Sequence, residues 1–460
     1  MSDVKSPSFM QALVCFGGIL AIIIVGAVAF QVSMHVLLMS SIMWTCSYSY
    51  FLGFRFSDLR NSMSGGISKG LSAIYIFVLI GVVIAAFMES GTIASLVYYS
   101  LDIIHPAVFL PAGFVLCSIM SVAVGTSFGT AGTAGVILIG VGATLGFPLP
   151  IVAGMVIAGA TFGDKISPIS DTTNLAAVAA GTDLYKHINS MMYTTVPTFI
   201  ICLILFAFIG LEYATQAPDT AQIEAFRSAI DENFVVSAWT VLPILVMFGL
   251  SINKVPAEPA MLSSVIVAGV LAIVLQDRTL IDILGSLQDG FKTSTGHEGL
   301  DLLVNRGGIQ SMMWTLSLAL FALALGGILD VTGYLTVLLK KTLSNVKTVF
   351  SGMLTAMCTG LICCLSMGET YISIIVTSQL MKKKFEEMKF KPYLLSRSIE
   401  ESTTLPSSLV PWSMPGAFYF GVLGVPVIEY APWAILNYLN MFVSLGMAYF
   451  GYGIFKNRKD

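Results

Sequence analysis

Between Gly163 and Asn174 the chain reads Gly-Asp-Lys-Ile-Ser-Pro-Ile-Ser-Asp-Thr-Thr-Asn, which sets three charges and a proline in the middle of a long apolar segment. At membrane depth an ionised side chain costs from about 2.5 kcal/mol upward, so it persists where it lines a cavity, pairs, or binds something. Asp164, Ser167, Ser170, Asp171, Thr172, Thr173 and Asn174 supply a dense set of oxygens. Pro168 removes a backbone donor and Gly163 permits unwinding, which frees the carbonyls near 163–172 to face a bound ion. A small hard cation such as Na⁺ takes an oxygen cage of this kind, on the logic that gives Ca²⁺ and Mg²⁺ carboxylates and carbonyls. A buried carboxylate can hold either Na⁺ or H⁺, and that competition is the minimal mechanism of a cation/proton antiporter. Asp164 and Asp171 are the candidate Na⁺ ligands, with Ser167, Thr172 and Asn174 around them. Two simpler readings stand beside this one: Asp164 and Lys165 neutralising each other, and Asp171 capping a half-helix.

A second stretch repeats the formula. Ser398-Ile-Glu-Glu-Ser-Thr-Thr-Leu-Pro-Ser-Ser-Leu-Val-Pro-Trp-Ser413 holds two carboxylates, two prolines and a run of hydroxyls. Glu401 is the second candidate for cation or proton handling, and Ser407 and Ser408 are candidate substrate contacts. Glu400 and Arg397 read as an ion pair nearer the cytoplasmic end. Two further segments, about 107–146 and 348–381, are apolar at both ends with a small polar tip between, and read as hairpins. The first tip is Val124-Gly-Thr-Ser-Phe-Gly-Thr-Ala-Gly-Thr-Ala-Gly135, whose Thr126, Ser127 and Thr130 suit an anion or a polar substrate; plain Gly/Thr helix packing is the alternative. The second is Ser366-Met-Gly-Glu-Thr-Tyr371, where Glu369 is a lone acid in apolar surroundings with little structural reason to be there. Its apolar legs are too short for two full crossings, which favours a re-entrant loop.

The elements that must position these residues follow from composition. Of 460 residues 56% are hydrophobic and 11% charged, more apolar surface than a soluble domain of this size can bury. No Asp, Glu, Lys or Arg occurs from Ser6 to Phe54 or from Ile103 to Gly163, and one helical span needs only about 20 such residues. The pattern predicts spans near 11–30, 33–54, 71–88, 150–182 (interrupted), 190–212, 233–251, 259–275, 309–329, 393–424 (interrupted) and 432–455, a dozen or so membrane segments with the hairpins. Counting crossings puts the chain ends and segments 55–70, 183–189, 252–258, 330–347 and 382–392 in the cytoplasm, and these hold 17 of the 23 Lys and Arg. Glu89 and Asp330 fall just after spans and read as solvated interface residues.

The expected fold is therefore an all-α polytopic membrane protein with two inverted repeats, each carrying a re-entrant hairpin and an interrupted helix. The whole chain, 1–460, reads as one transmembrane domain: two leading spans (1–70), a first repeat (71–212), an external loop with two connecting spans and a second external loop (213–308), and a second repeat (309–455). Gly125-Thr126 then Asp164 in one half match Gly368-Glu369 then Glu401 in the other. Inverted repeats with broken helices at the midplane are the signature of secondary transporters.

Other classes fit less well. No phosphate-binding loop appears, so ATP is not expected to drive the work. The seven cysteines sit in apolar segments without metal-ligand or disulfide spacing, and His35, His105, His187 and His297 are scattered. The run Ala12–Phe30 is longer than a signal-peptide core and reads as a retained span. A channel would need rings repeated around a pore, and an enzyme would need a nucleophile, base and orienter grouped together. No cofactor and no nucleic acid are expected; the partners are the bilayer, Na⁺, H⁺ and, on the alternative reading, a small organic acid.

From Gly163 to Asn174, through Ala180-Gly-Thr-Asp-Leu184 and on to His187, the chain resembles the NhaC family of Na⁺/H⁺ antiporters. The likeness extends through Gly125-Thr-Ser-Phe-Gly-Thr130, Tyr371-Ile-Ser-Ile374 and Arg397 to Trp412. It implies a secondary transporter of the inner membrane that exchanges Na⁺ for H⁺ by alternating access. On the reading of the acids themselves, protons load Asp164, Glu369 or Glu401 in exchange. Some relatives couple exchange to malate and lactate, and wider relatives are homodimers. This chain carries Phe128 where the family usually has Trp, and its second tip and second broken helix depart further, so the cation motif of the first half is the better preserved.

Overall fold

The computed structural model describes residues 7–103, 105–214, 220–253, 255–340 and 346–454, and among these all regular structure is helical. The chain ends expected in the cytoplasm, 1–6 and 455–460, lie outside the described residues. Among the described residues, eight helices are long and apolar enough to cross a membrane, or up to 10 if each of two bent pairs makes one span. The count falls below a dozen because the broken helices contribute pieces shorter than a span, such as Met414–Leu423, and because Met34–Phe51 is diluted by Ser and Tyr.

Both hairpins form, and both turn in the same way. Pro106–Val124 ends at Gly125, which adopts φ 74°, and Thr126 is extended before the next helix starts at Ser127. Val349–Met367 ends at Gly368, φ 61°, and Glu369 is extended before Thr370–Glu387. Only glycine takes the left-handed conformation without penalty, so each tip is fixed by one glycine. The second hairpin's return leg is longer than its apolar run alone indicates, because the helix continues through Lys382–Lys384 to Glu387. Leg length therefore gives no reason for re-entrance. The tips themselves are buried within the protein, Ser127, Glu369 and Thr370 all being shielded from solvent.

The interrupted helices also recur. The first runs Leu149–Ile166, breaks, and resumes as Asp171–Ala180; the second runs Pro392–Ser407, breaks, and resumes as Met414–Leu423. Ser170 and Ser413 cap the resumed halves through their hydroxyls, and left-handed Gly181 and Gly424 end them. The same number of residues separates Gly125 from Ser170 as Gly368 from Ser413, and the two closing glycines keep that register. Packing repeats too. Pro106–Val124 lies against Leu149–Ile166 and Leu184–Ala214, as Val349–Met367 lies against Pro392–Ser407 and Ile435–Tyr449.

This register corrects one pairing. Asp164 corresponds to Ser407, whereas Glu401 sits almost two turns earlier in its helix, opposite Ala158. The helix bounds show further that Gly163 does not begin the unwinding. It lies inside Leu149–Ile166, where a Cβ would come within 2.3 Å of the Ser118 carbonyl oxygen, so its role is to let two backbones meet. The break itself comes at Pro168.

Around this double frame, Ile309–Thr332 packs against Met34–Phe51, Phe56–Lys69 and Leu71–Glu89. Glu89 differs from its expected place. It is buried, accepts a 2.5 Å hydrogen bond from Ser286 and pairs with Arg278 at 3.3 Å, because the helix Leu280–Asp289 folds back over it. Asp330 stays partly exposed and pairs with Lys69 at 2.9 Å.

Candidate functional site

Both tips meet both breaks. Tip residue Ser127 reaches Asp164 beside the first break, donating its N–H (3.1 Å) and its hydroxyl (2.7 Å) to one carboxylate oxygen, Oδ2. At the second tip the Gly368 carbonyl accepts the N–H of Met414 at 2.7 Å, and Trp412 Nε1 donates to the Leu365 carbonyl at 2.7 Å. The halves then cross. Tyr371, just past the second tip, donates its hydroxyl to Asp171 Oδ2 at 2.5 Å, while Phe128, just past the first, packs against Phe418 with ring centroids 4.3 Å apart and planes tilted by 38°.

These contacts enclose a cavity of about 50 Å³. Thr126, Ser127, Thr161, Asp164, Asp171 and Thr172 line it from the first half, and Thr370, Tyr371, Thr404, Ser407, Ser408 and Tyr419 from the second. Among the described residues, its lining includes only two charged side chains, Asp164 and Asp171. Asp164 is buried at the floor with its Oδ1 unpartnered, and the hydroxyl oxygens of Thr370 and Thr404 are likewise buried without partners. Asp171 is exposed at the mouth. Buried polar atoms are nearly always satisfied, so orphaned oxygens converging on one small space mark a place built for a donor or a cation. The space suits a few water-sized ligands, far below the ~300 Å³ of typical small-molecule sites.

The structure sorts the expected residues. Asp164, Asp171, Thr172, Thr126, Ser127, Ser407 and Ser408 meet at the cavity. Ser167 and Asn174 turn away to close the break, Ser167 donating to the Val122 carbonyl at 2.8 Å and Asn174 to the Pro168 and Ser170 carbonyls. Thr130 bonds back to the Thr126 carbonyl within its own helix. Glu369 is fully buried but points along its helix, where it accepts the N–H of Ile372 at 2.6 Å as an N-cap. Glu401 lies outside the cavity, bonded to Thr194 and Asn440. Nor does the Asp164–Lys165 pair form, since Lys165 Nζ has no hydrogen-bond partner. Arg397 donates to the Ser190 and Gly453 carbonyls, and the partner of Glu400 is His187 at 3.7 Å.

Tyr371, Tyr419, Thr404 and Thr161 were not singled out from sequence as cavity residues. Tyr371 had a usable signal, standing two residues after the tip acid as Phe128 stands two after Thr126. Substituting Phe for Tyr371 removes a hydrogen bond to a charged acceptor, a loss of about 1.5–3 kcal/mol. The expected result is a roughly ten-fold or greater rise in the half-saturating cation concentration, read from transport at graded Na⁺.

Sequence comparison gives the same picture over nearly the full length. The chain matches the Na⁺/H⁺ antiporter family over residues 5–180 and 159–452. It is 36% identical to the Na⁺/H⁺ antiporter NhaC of Alkalihalophilus pseudofirmus, covering 97% of this chain and 96% of that one. It is 34% identical to the malate-2H⁺/Na⁺-lactate antiporter of Bacillus subtilis over 97% of this chain and 95% of that one. Identity to the arginine/ornithine antiporter ArcD of Halobacterium salinarum is 31%, covering 98% and 94% of the two chains. With its apolar helices and broken-helix cavity, this multi-pass membrane protein belongs to the Na⁺/H⁺ antiporter family.

Proposed function

We propose that the protein exchanges Na⁺ for H⁺ across the cytoplasmic membrane, with its two halves inverted relative to one another and both chain ends in the cytoplasm. The observation that carries this reading is the cavity at the crossing of tips and breaks, whose lining offers two carboxylates and orphaned hydroxyl oxygens. Asp164 and Asp171 would hold the cation, with Thr172, Thr370 and Thr404 supplying neutral oxygens, the chemistry hard cations select. Ser127 holds Asp164 in place from the first tip, and Tyr371 holds Asp171 from the second.

Because each carboxylate is oriented by a hairpin tip, relative motion of hairpins and broken helices changes the site and its access together. That is the physical content of alternating access. Protonation of a buried carboxylate completes the exchange, and Asp164, Glu369, Glu400 and Glu401 are all buried along the tips and broken helices.

Two features favour a small cation over the organic-acid cargo named for the Bacillus subtilis malate/lactate relative. Among the described residues the cavity lining includes no Lys or Arg to neutralise a carboxylate, and its volume of about 50 Å³ is small. The test is purified protein in liposomes that enclose a pH-sensitive dye. Addition of Na⁺ alone is expected to change the internal pH; a signal that waits for malate or another organic acid would replace this reading with a carboxylate exchanger.

A further inference from the structure

One turn before Thr404, the second broken helix carries a group of charges that the cation cavity does not use. Arg397, Glu400 and Glu401 are fully buried there, facing His187 and Thr194 of the helix Leu184–Ala214. Lys165, also fully buried, lies near Glu401 and Glu400. Tyr393 lies beside Arg397, and the helix Ile435–Tyr449 contributes Asn440, whose amide donates to Glu401 at 2.9 Å.

Unpartnered buried atoms in this group, His187 Nε2 and both oxygens of Glu400, mark a place for a proton. The Ser396 hydroxyl lies 2.8 Å from His187 Nδ1 and 3.1 Å from the Tyr393 carbonyl, and its one hydrogen can serve only one of them. When that hydrogen goes to the carbonyl, Nδ1 carries the ring hydrogen and donates to the Ser396 oxygen. A neutral imidazole then turns a bare Nε2 toward Glu400 Oε2 at 3.7 Å, and two acceptors face each other in full burial. Both oxygens of Glu400 otherwise lack partners, as does Glu401 Oε2. A single proton on Nε2 or Oε2 turns this opposition into an attraction. Thr404, one turn beyond both acids, lines the cation cavity with an unpartnered hydroxyl and so joins the two places.

Resting on the antiporter reading, we propose that the His187–Glu400 pair, with Glu401 beside it, is the proton-binding site of the exchanger, separate from the Na⁺ cavity and coupled to it through Thr404. A proton forms its bond to Nε2 or Oε2 when it enters from one side of the membrane, and that bond breaks when it leaves to the other. No electrons move.

Two assays on the same liposomes separate this site from the cavity: Na⁺/H⁺ exchange followed by the dye, and isotopic Na⁺/Na⁺ exchange, which needs no proton. Glu400→Gln is expected to lower Na⁺/H⁺ exchange by about a hundred-fold, the low end of what a positioned proton carrier contributes, while Na⁺/Na⁺ exchange stays at the wild-type rate. Should that variant fail to elute as folded protein, His187→Asn makes the same test. Loss of both activities, or of neither, overturns the separate site. Wild-type protein that moves Na⁺ without moving H⁺ overturns the antiporter reading itself, and the inference with it.

Discussion

Asp164→Asn is expected to reduce Na⁺-dependent transport by at least about a hundred-fold, since even groups that only orient a metal ligand are worth 10- to 100-fold. The substitution keeps shape and removes charge. Ser127 can still donate its N–H and hydroxyl to the amide oxygen that replaces Oδ2, so the tip should stay docked on the first broken helix. What disappears is the only buried negative charge in the cavity lining, Asp171 lying exposed at the mouth. Both Na⁺/H⁺ and Na⁺/Na⁺ exchange should fall together, which distinguishes this variant from Glu400→Gln. Wild-type exchange by the Asn variant would remove Asp164 from the cation site.

Gly163→Ala is expected to act on folding. The new Cβ would lie 2.3 Å from the Ser118 carbonyl oxygen and 2.7 Å from the Val122 backbone nitrogen, and backbone cannot swing aside as a flexible side chain can. Overpacking of this kind costs about 1–3 kcal/mol, and Gly163→Val should cost more. The measurement is thermal unfolding of purified protein in detergent, where the midpoint should drop. An unchanged midpoint with impaired transport would restore Gly163 to the role of hinge.

These two neighbours show what the sequence could and could not reveal. Asp164 was legible because charge in an apolar run is costly wherever the chain goes, and that argument needs no coordinates. Gly163 was misread as the source of the unwinding because a glycine before a break and a glycine beneath a crossing helix look identical in one dimension. The hairpins and breaks were legible from Gly125, Gly368, Pro168 and the hydroxyl runs, whose conformational demands are local. The partners of the buried acids were not. Glu369 turned out to cap its own helix and Glu401 to face Thr194, because which way a side chain points depends on helices far apart in sequence. His187 was set aside as one of four scattered histidines, and only packing brings it to Glu400.

The two halves share a frame but not its charges. Gly125 and Gly368, Ser170 and Ser413, and Gly181 and Gly424 stand in register, yet both carboxylates of the cavity come from the first half. With the halves opposed in the bilayer, as proposed, turning the protein from inward-open to outward-open is not a mirror operation. The same two acids would be approached past different walls from either face. Occupancy on the two sides would then follow different saturation curves, even though the gradients alone decide which way net exchange runs. Such a carrier is reversible in its thermodynamics and rectifying in its kinetics, with its speed dependent on the face that meets the higher Na⁺.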